Sequence, residues 1–366
     1  MTQDYGVDVV LLAASYNTSL THVTHTTQVT QVTQAYTVDG LLLSDEALRL
    51  FNLINYVILG GCVSVVGLVL NLINVAVYTR LGYRDTSNMT LSALSLSDTG
   101  LLLMMLAYSL VYNPLLPADN PELIYAVRNL GIGWPHVIIS RVSGCIKAFI
   151  ALERFIAIAH PLKVKAILTQ SRTLIVCFLL FAVPFAGSTP VFVCLGINLQ
   201  YNAVLNTSTL ALVACSNRYT VEVNARYFNM FLQLSSFLLI SVLTVGLVHA
   251  VLKTSRWRKT SVTSGRTTRD QRLTRTVLVV CLSHIACVTP NIVGTVVTLV
   301  LKDYLANVRY KNLLDAIYSS LFLLGAINSS INIFIYIKTS SKFVKVLKSM
   351  LIQQENKKNI FILNKL

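Results

Sequence analysis

Asp98, Arg141, Lys147, Glu153 and Arg154 stand inside stretches that are otherwise apolar, and the last two are neighbours near the end of one, in IALERFIAIAHPLKVK at 150–165. A charge in a hydrophobic environment is costly unless it is paired. Residues of these types at such places therefore point to ion pairs that hold or release a conformation, or to a path for ions. Hydrolytic chemistry finds no support, because there is no His-Glu-x-x-His run and Asp98 is the only deep aspartate, so a catalytic carboxylate pair is missing. The chain is expected not to be an enzyme, and neither a metal nor a cofactor is expected.

The elements that carry these charges follow from composition. Of 366 residues 54% are hydrophobic and 12% are charged, where a soluble domain has roughly a quarter charged. Crossing a bilayer takes about 20 apolar residues in a helix. Seven stretches meet that length, at about 54–79, 88–112, 124–158, 171–193, 225–252, 273–300 and 308–337. They are long and show no strict alternation, which favours helices over a β-barrel. The fold class expected is an all-α membrane protein, a seven-transmembrane helix bundle with a short amphipathic eighth helix. That last helix is read from IKTSSKFVKVLKSML, where Phe343, Val346, Leu347 and Met350 recur at helical spacing between Lys342, Lys345 and Lys348. It is expected to lie on the lipid bilayer over 338–351, with a cytoplasmic tail at 352–366.

The net charge of +15 is unevenly placed. With the N-terminus outside, the inner segments hold 20 Lys and Arg, eight of them between Lys253 and Arg275, and the outer segments hold seven. This is the positive-inside pattern, and it accounts for the basic excess without nucleic acid. Residues 1–53 read as an extracellular arm, polar and rich in Thr and Gln over 17–37. The opening lacks a basic n-region, so the first span is expected to serve as its own signal. Asn17 and Asn206 begin Asn-x-Ser/Thr acceptors for glycosylation in outer segments. Cys194 and Cys215 share the loop between spans four and five, facing an oxidising compartment, where a disulfide is expected; the alternative is two free thiols.

Five motifs in order on these spans carry a resemblance. They are Gly67-Leu-Val-Leu-Asn71; Leu94-Ser-Leu-Ser-Asp98; Glu153-Arg154-Phe155 with His160-Pro161-Leu162; Cys287-Val288-Thr289-Pro290; and Asn328-Ser-Ser-Ile-Asn332-Ile-Phe-Ile-Tyr336. From residue 54 to about 350 the chain resembles the rhodopsin-like family of G-protein-coupled receptors. The resemblance implies a plasma-membrane receptor that binds an unknown extracellular ligand, chemosensory or peptide, and activates a heterotrimeric G protein. It implies a switch in which Glu153 and Asp270 hold Arg154 at rest, with Tyr336 as a further member. It also implies an interior polar pocket of Asn71, Asp98, Ser143, Asn328, Ser329 and Asn332, which in the family holds sodium. Lys147, one turn from Ser143, is expected to reach Asp98 and take the place of that ion. Counted from Arg154, the residues His136, Ser140 and Arg141 approach the outer cavity and are the ligand-binding candidates, with Arg141 suited to an anion.

Departures from the family pattern are equally specific. Asn129 stands where span three usually has a cysteine, so a Cys194–Cys215 bridge has to be local to its loop. Val288 and Ile333 replace the usual tryptophan and proline of spans six and seven. These imply a divergent lineage, of the kind found among invertebrate chemosensory or orphan receptors. A multi-span transporter or channel is the competing class, disfavoured by the absence of internal repeats and of paired broken helices.

Overall fold

Hydrocarbon as solvent inverts the usual arrangement of side chains, and the helices show it. Val65, Val66, Val69 and Leu72 point outward from one helix, and Leu238, Val242 and Val245 from another, while Ser95, Ser97, Asp98, Ser143 and Asn332 are buried. The computed structural model describes residues 42–115, 121–202, 207–258, 266–301 and 308–363. The glycosylation candidates Asn17 and Asn206 lie outside the described residues, as does most of the expected N-terminal arm.

Among the described residues, six helices are long and apolar enough to cross a membrane: α1 (Asp45–Leu81), α2 (Thr86–Val111), α4 (Gln170–Cys194), α5 (218–258, apolar over Arg218–Leu252), α6 (266–300, apolar over Arg272–Thr298) and α7 (Lys311–Thr339). The seventh, α3 (Trp134–Ala159), carries Arg141, Lys147, Glu153 and Arg154 and packs against α2, α4, α5 and α6. Its charges make it the least lipid-like helix and its packing surrounds it with protein, two facts with one cause. A further helix, α8 (Ser341–Leu363), follows α7. Its Phe343 is fully buried against Tyr78 and Tyr336, and Val346, Leu347 and Met350 pack beside it, while Lys342, Lys345 and Lys348 are exposed.

Helix ends follow local chemistry. Ser44 caps α1, accepting from Ala47 N at 3.2 Å, and Asp45 and Glu46 occupy the first turn, where acids complement the helix dipole. The helix therefore starts nine residues before the apolar run expected from 54, inside the segment assigned to the arm. Asp85 and Thr169 cap α2 and α4 in the same way. Two stretches widen to π-helix, Leu53–Gly60 in α1 and Val127–Gly133 just before α3; each turns side chains of its helix toward the same end of the bundle. The lack of a Cβ at Gly67 lets α1 lie against Ser330 of α7, and that approach allows Asn71 to reach across to the backbone of α7.

Between α4 and α5 the chain forms an antiparallel hairpin, β1 (Leu195–Asn202) and β2 (Thr207–Ala214), in register from Leu195 with Ala214 to Asn202 with Thr207. Alternating Leu, Ile and Val within GINLQ and TLALV suits strands. Cys194 and Cys215 are disulfide-bonded across its base, 21 residues apart. Closure of a loop of this length is worth about 3 kcal/mol in the chain-entropy model. Peptide mapping without reductant is expected to recover Cys194 and Cys215 as one linked pair, and Cys215→Ser to lower the thermal midpoint of the purified protein; a free Cys194 thiol in the unmodified chain contradicts the pairing.

Candidate functional site

Asp98 of α2 has no exposed surface, and two helices, α3 and α7, supply its partners. Its Oδ1 accepts from Ser143 Oγ of α3 at 2.8 Å and from Ser329 Oγ of α7 at 3.0 Å, and its Oδ2 from Asn332 Nδ2 at 2.7 Å. Lys147 lies on the same face of α3 as Ser143, four residues on. Its Nζ is 3.9 Å from Asp98 Oδ1, with both side chains at 1% exposure or less; this is an ion pair at the outer limit of contact rather than a hydrogen bond. The carboxylate thus has three donors and one cation, the environment an ionised acid needs when water is excluded. Asn71 donates instead to Gly67 O and Ser329 O, each at 3.0 Å, and braces α7 against α1. Asn328 turns the other way, its Nδ2 being 3.5 Å from His284 Nδ1. Of the expected pocket, Ser143, Lys147, Ser329 and Asn332 meet Asp98, and Asn71 and Asn328 stand one contact away.

At the other end of α3, Glu153 and Arg154 do not hold one another. Ion pairs among the described residues join Lys147 to Asp98 and Arg218 and Arg226 to Glu222. Adjacent positions on a helix diverge by about 100°, so each of the two residues finds its own partner on α2: Thr90 Oγ1 donates to Glu153 Oε2 at 2.8 Å, and Arg154 Nη2 donates to Ser87 Oγ. The hydrogen bond of Arg154 goes to a hydroxyl of α2, and Glu153 and Arg154 act on one another only through their charges. Asp270 belongs to the first turns of α6, and its side chain lies outside the described residues. Tyr336 is buried between Tyr78 and Phe343, with ring centroids 5.5 and 5.6 Å away. Ser87 and Thr90 were legible as a polar i, i+3 pair in the apolar α2, a signal that points to a buried helix face.

The hairpin end holds a cavity of about 390 Å³, with a second of about 70 Å³; Val137, Arg141, Gln233 and Phe322 line both. His136 and Ser140 line the inner one only. His136 is 4% exposed, its ring 4.5 Å from that of Phe322 and 6.0 Å from that of Tyr108, and neither ring nitrogen has a hydrogen-bond partner. Arg141 Nε is likewise buried without one. The three expected ligand residues therefore share one place. Sequence reasoning missed Gln233, which donates to Asn291 Oδ1 at 2.7 Å across α5 and α6, and Tyr56, stacked on Tyr108 and Tyr112. At the rim, Arg218 and Arg226 flank Glu222, and Arg218 and Asn129 both donate to Tyr125 OH, at 3.3 and 2.9 Å.

A helix bundle with a cavity open at one end, a charged centre and an arginine sealed at the other end is the architecture of a membrane receptor. The chain belongs to the 7 transmembrane receptor (rhodopsin family), whose model matches residues 70–336. It is similar to the growth hormone secretagogue receptor type 1 of Homo sapiens, 27% identical over 272 residues covering 69% of each chain. Its identity to the Mus musculus receptor of the same name is 28% over 271 residues, again 69% of each. It is a multi-pass plasma-membrane protein.

The Asp98–Lys147 contact makes a quantitative expectation. Breaking one side of a buried pair costs about 3–5 kcal/mol, because the other charge is left behind, whereas removing both leaves no charge. Thermal stability of the purified protein is expected to fall in Asp98→Asn and in Lys147→Met, and the double substitution to cost less than their sum. Strict additivity in that cycle rules the pair out.

Proposed function

We propose that the chain is a G-protein-coupled receptor that takes an extracellular ligand into the cavity at the hairpin end and activates a heterotrimeric G protein at the Arg154 end. In this reading the N-terminal arm and the hairpin face outward, as the distribution of Lys and Arg requires, and Asn17 and Asn206 are open to glycosylation. The observation that carries it is the course of α3. Arg141 lines the cavity, Lys147 meets Asp98 and Arg154 is held by α2, all on one helix within about 20 Å. A ligand that shifts α3 or its neighbours acts on all three sets of contacts at once.

Arg154 is the proposed contact for the G protein. A guanidinium held by one hydrogen bond to a hydroxyl, with the Glu153 charge nearby but no close ion pair, is held more weakly than in a direct ion pair, so the resting state is one that a moderate perturbation can release. Tyr336, wedged between Tyr78 and Phe343, links α7 and α8 to the same end. The exposed lysines of α8 suit the anionic inner leaflet, where each contributes about 1 kcal/mol of attraction. The chemosensory alternative to a peptide ligand rests on the motif departures alone.

In cells making the full chain, Arg154→Ala is expected to abolish agonist-independent and agonist-dependent guanine-nucleotide exchange with surface amount unchanged; substrate flux that persists in the variant without any exchange favours a transporter. Lys147 in the place of a bound cation has a separate consequence. Basal exchange of the unmodified chain is expected to be the same in sodium and in potassium, and Lys147→Leu to become sodium-dependent, an effect that Asp98→Asn removes. A sodium response in the unmodified chain sinks the substitution of lysine for sodium.

A further inference from the structure

Charged groups that line the cavity beside Arg141 have partners: Asp45 accepts from Asn312 at 2.7 Å, and Asp315 lies within reach of the charges of Lys311 and Arg128. Glu222 takes Arg218 at 2.7 Å and Arg226 at 3.0 Å, and Arg128 lies over the ring of Tyr112, 5.6 Å from its centroid. Arg141, by contrast, makes no ion pair or hydrogen bond among the described residues, and its Nε is shut off from solvent. A guanidinium does not deprotonate in proteins, so the charge of the half-buried Arg141 reaches the cavity it lines without an ion pair.

Its neighbour repeats the deficit. His136, five residues earlier on α3, is buried with both ring nitrogens unpartnered, although a neutral imidazole has one N–H to donate and one nitrogen to accept. Arg141 lines both cavities and His136 the inner, smaller one, whose wall also includes Ser140 and the hydrogen-bonded Gln233 and Asn291. Unsatisfied buried groups normally cost about 1–3 kcal/mol each, more for charged ones. Both groups line one small cavity that shares Val137, Arg141, Gln233 and Phe322 with the larger one, and together they suit a ligand that brings hydrogen-bond acceptors and a negative charge.

We propose that Arg141 and His136 form an anion-binding subsite at the foot of the cavity, and that its occupant is a compact monoanion: a carboxylate carried by the activating ligand, or a free halide. One guanidinium balances one negative charge. The planar fork of Arg141 matches a carboxylate in two parallel hydrogen bonds, and the His136 N–H supplies a third donor. The smallness of the inner cavity favours an end group over the body of a ligand, which fits the 390 Å³ space beyond. The ligand-borne source rests on the receptor reading above; the halide source does not.

The test uses the purified full chain in lipid nanodiscs, with sodium acetate, sodium butanoate, sodium chloride and neutral butanamide as probes up to about 100 mM, each compared with Arg141→Gln at the same concentration. The readout is the thermal midpoint, since an occupant of the folded state alone raises it. A rise of roughly 2–4 °C with acetate and butanoate, absent with butanamide and absent in Arg141→Gln, supports the subsite and assigns it to a ligand carboxylate. A rise with chloride alone, again lost in Arg141→Gln, supports it and assigns it to the halide. Equal shifts in both proteins, or none in the unmodified chain, overturn it. Should Arg141→Gln not fold, Arg141→Lys keeps the charge without the fork and is expected to need at least tenfold more carboxylate for the same shift; an unchanged midpoint curve counts against the proposal. Nucleotide exchange on purified G protein is measured in the same nanodiscs. Anion binding with no exchange under any condition removes the receptor reading and leaves the subsite standing, while exchange without anion binding does the reverse.

Discussion

Placing a carboxylate at the centre of a bilayer obliges the surrounding helices to complete its coordination, and Asp98 imposes that demand on the whole bundle. Its donors come from α3 and α7 and its counter-charge from α3, so α2, α3 and α7 meet at one point. The close approach of α1 at Gly67 and the bond from Asn71 to the backbone of α7 extend the junction to a fourth helix. Apolar packing in hydrocarbon has little preference for one helix register over another, since lipid tails are as apolar as leucine. Polar contacts at the centre supply that preference. The apolar clusters on either side, around Tyr336 and around Tyr56, then fill the space such a register leaves.

A lysine in this position changes the character of the junction. A mobile ion can enter and leave; Lys147 is tethered to α3 and comes and goes only with the helix. Motion of α3 relative to α2 therefore has to stretch a contact already at 3.9 Å, and the same motion disturbs the hydroxyl clamp on Arg154 at the other end. The cavity, the Asp98 junction and the contact of Arg154 with α2 all lie along one helix, with no long chain of side chains between them.

Much of this was legible in the residues. Apolar length gave the seven spans, and the charges of span three, its chief irregularity, proved to be why it lies surrounded by other helices. Ser143 and Lys147 share a helical face by spacing alone, which was enough to bring Lys147 to Asp98. Other features depend on contacts that no local pattern records. Glu153 and Arg154 invite pairing when read side by side, yet a helix turns them apart, and their partners Ser87 and Thr90 come from more than sixty positions away. The π-helical stretches in Leu53–Gly60 and Val127–Gly133 add a residue to a turn without any residue type that demands it. The alternation of the hairpin is visible in GINLQ and TLALV, whereas Cys194 and Cys215 mark only its two ends. Asn328 has the right residue type and position for the central pocket, but bonds to His284 on α6 instead.

The bridge at the base of the hairpin joins Cys194, the last residue of α4, to Cys215, three residues before α5 begins. Neither foot stands on α3, whose entry is fastened instead by Tyr125 and Asn129 through hydrogen bonds to one another and to Arg218. The covalent link makes the hairpin and its two flanking helix ends a single unit, while α3 is joined to that unit without a covalent bond, through Trp134 packed on Val191, Leu195 and Ala225 and through the hydrogen bonds of Tyr125. The mouth of the cavity thus has one side braced by a covalent bond and one held by packing and hydrogen bonds.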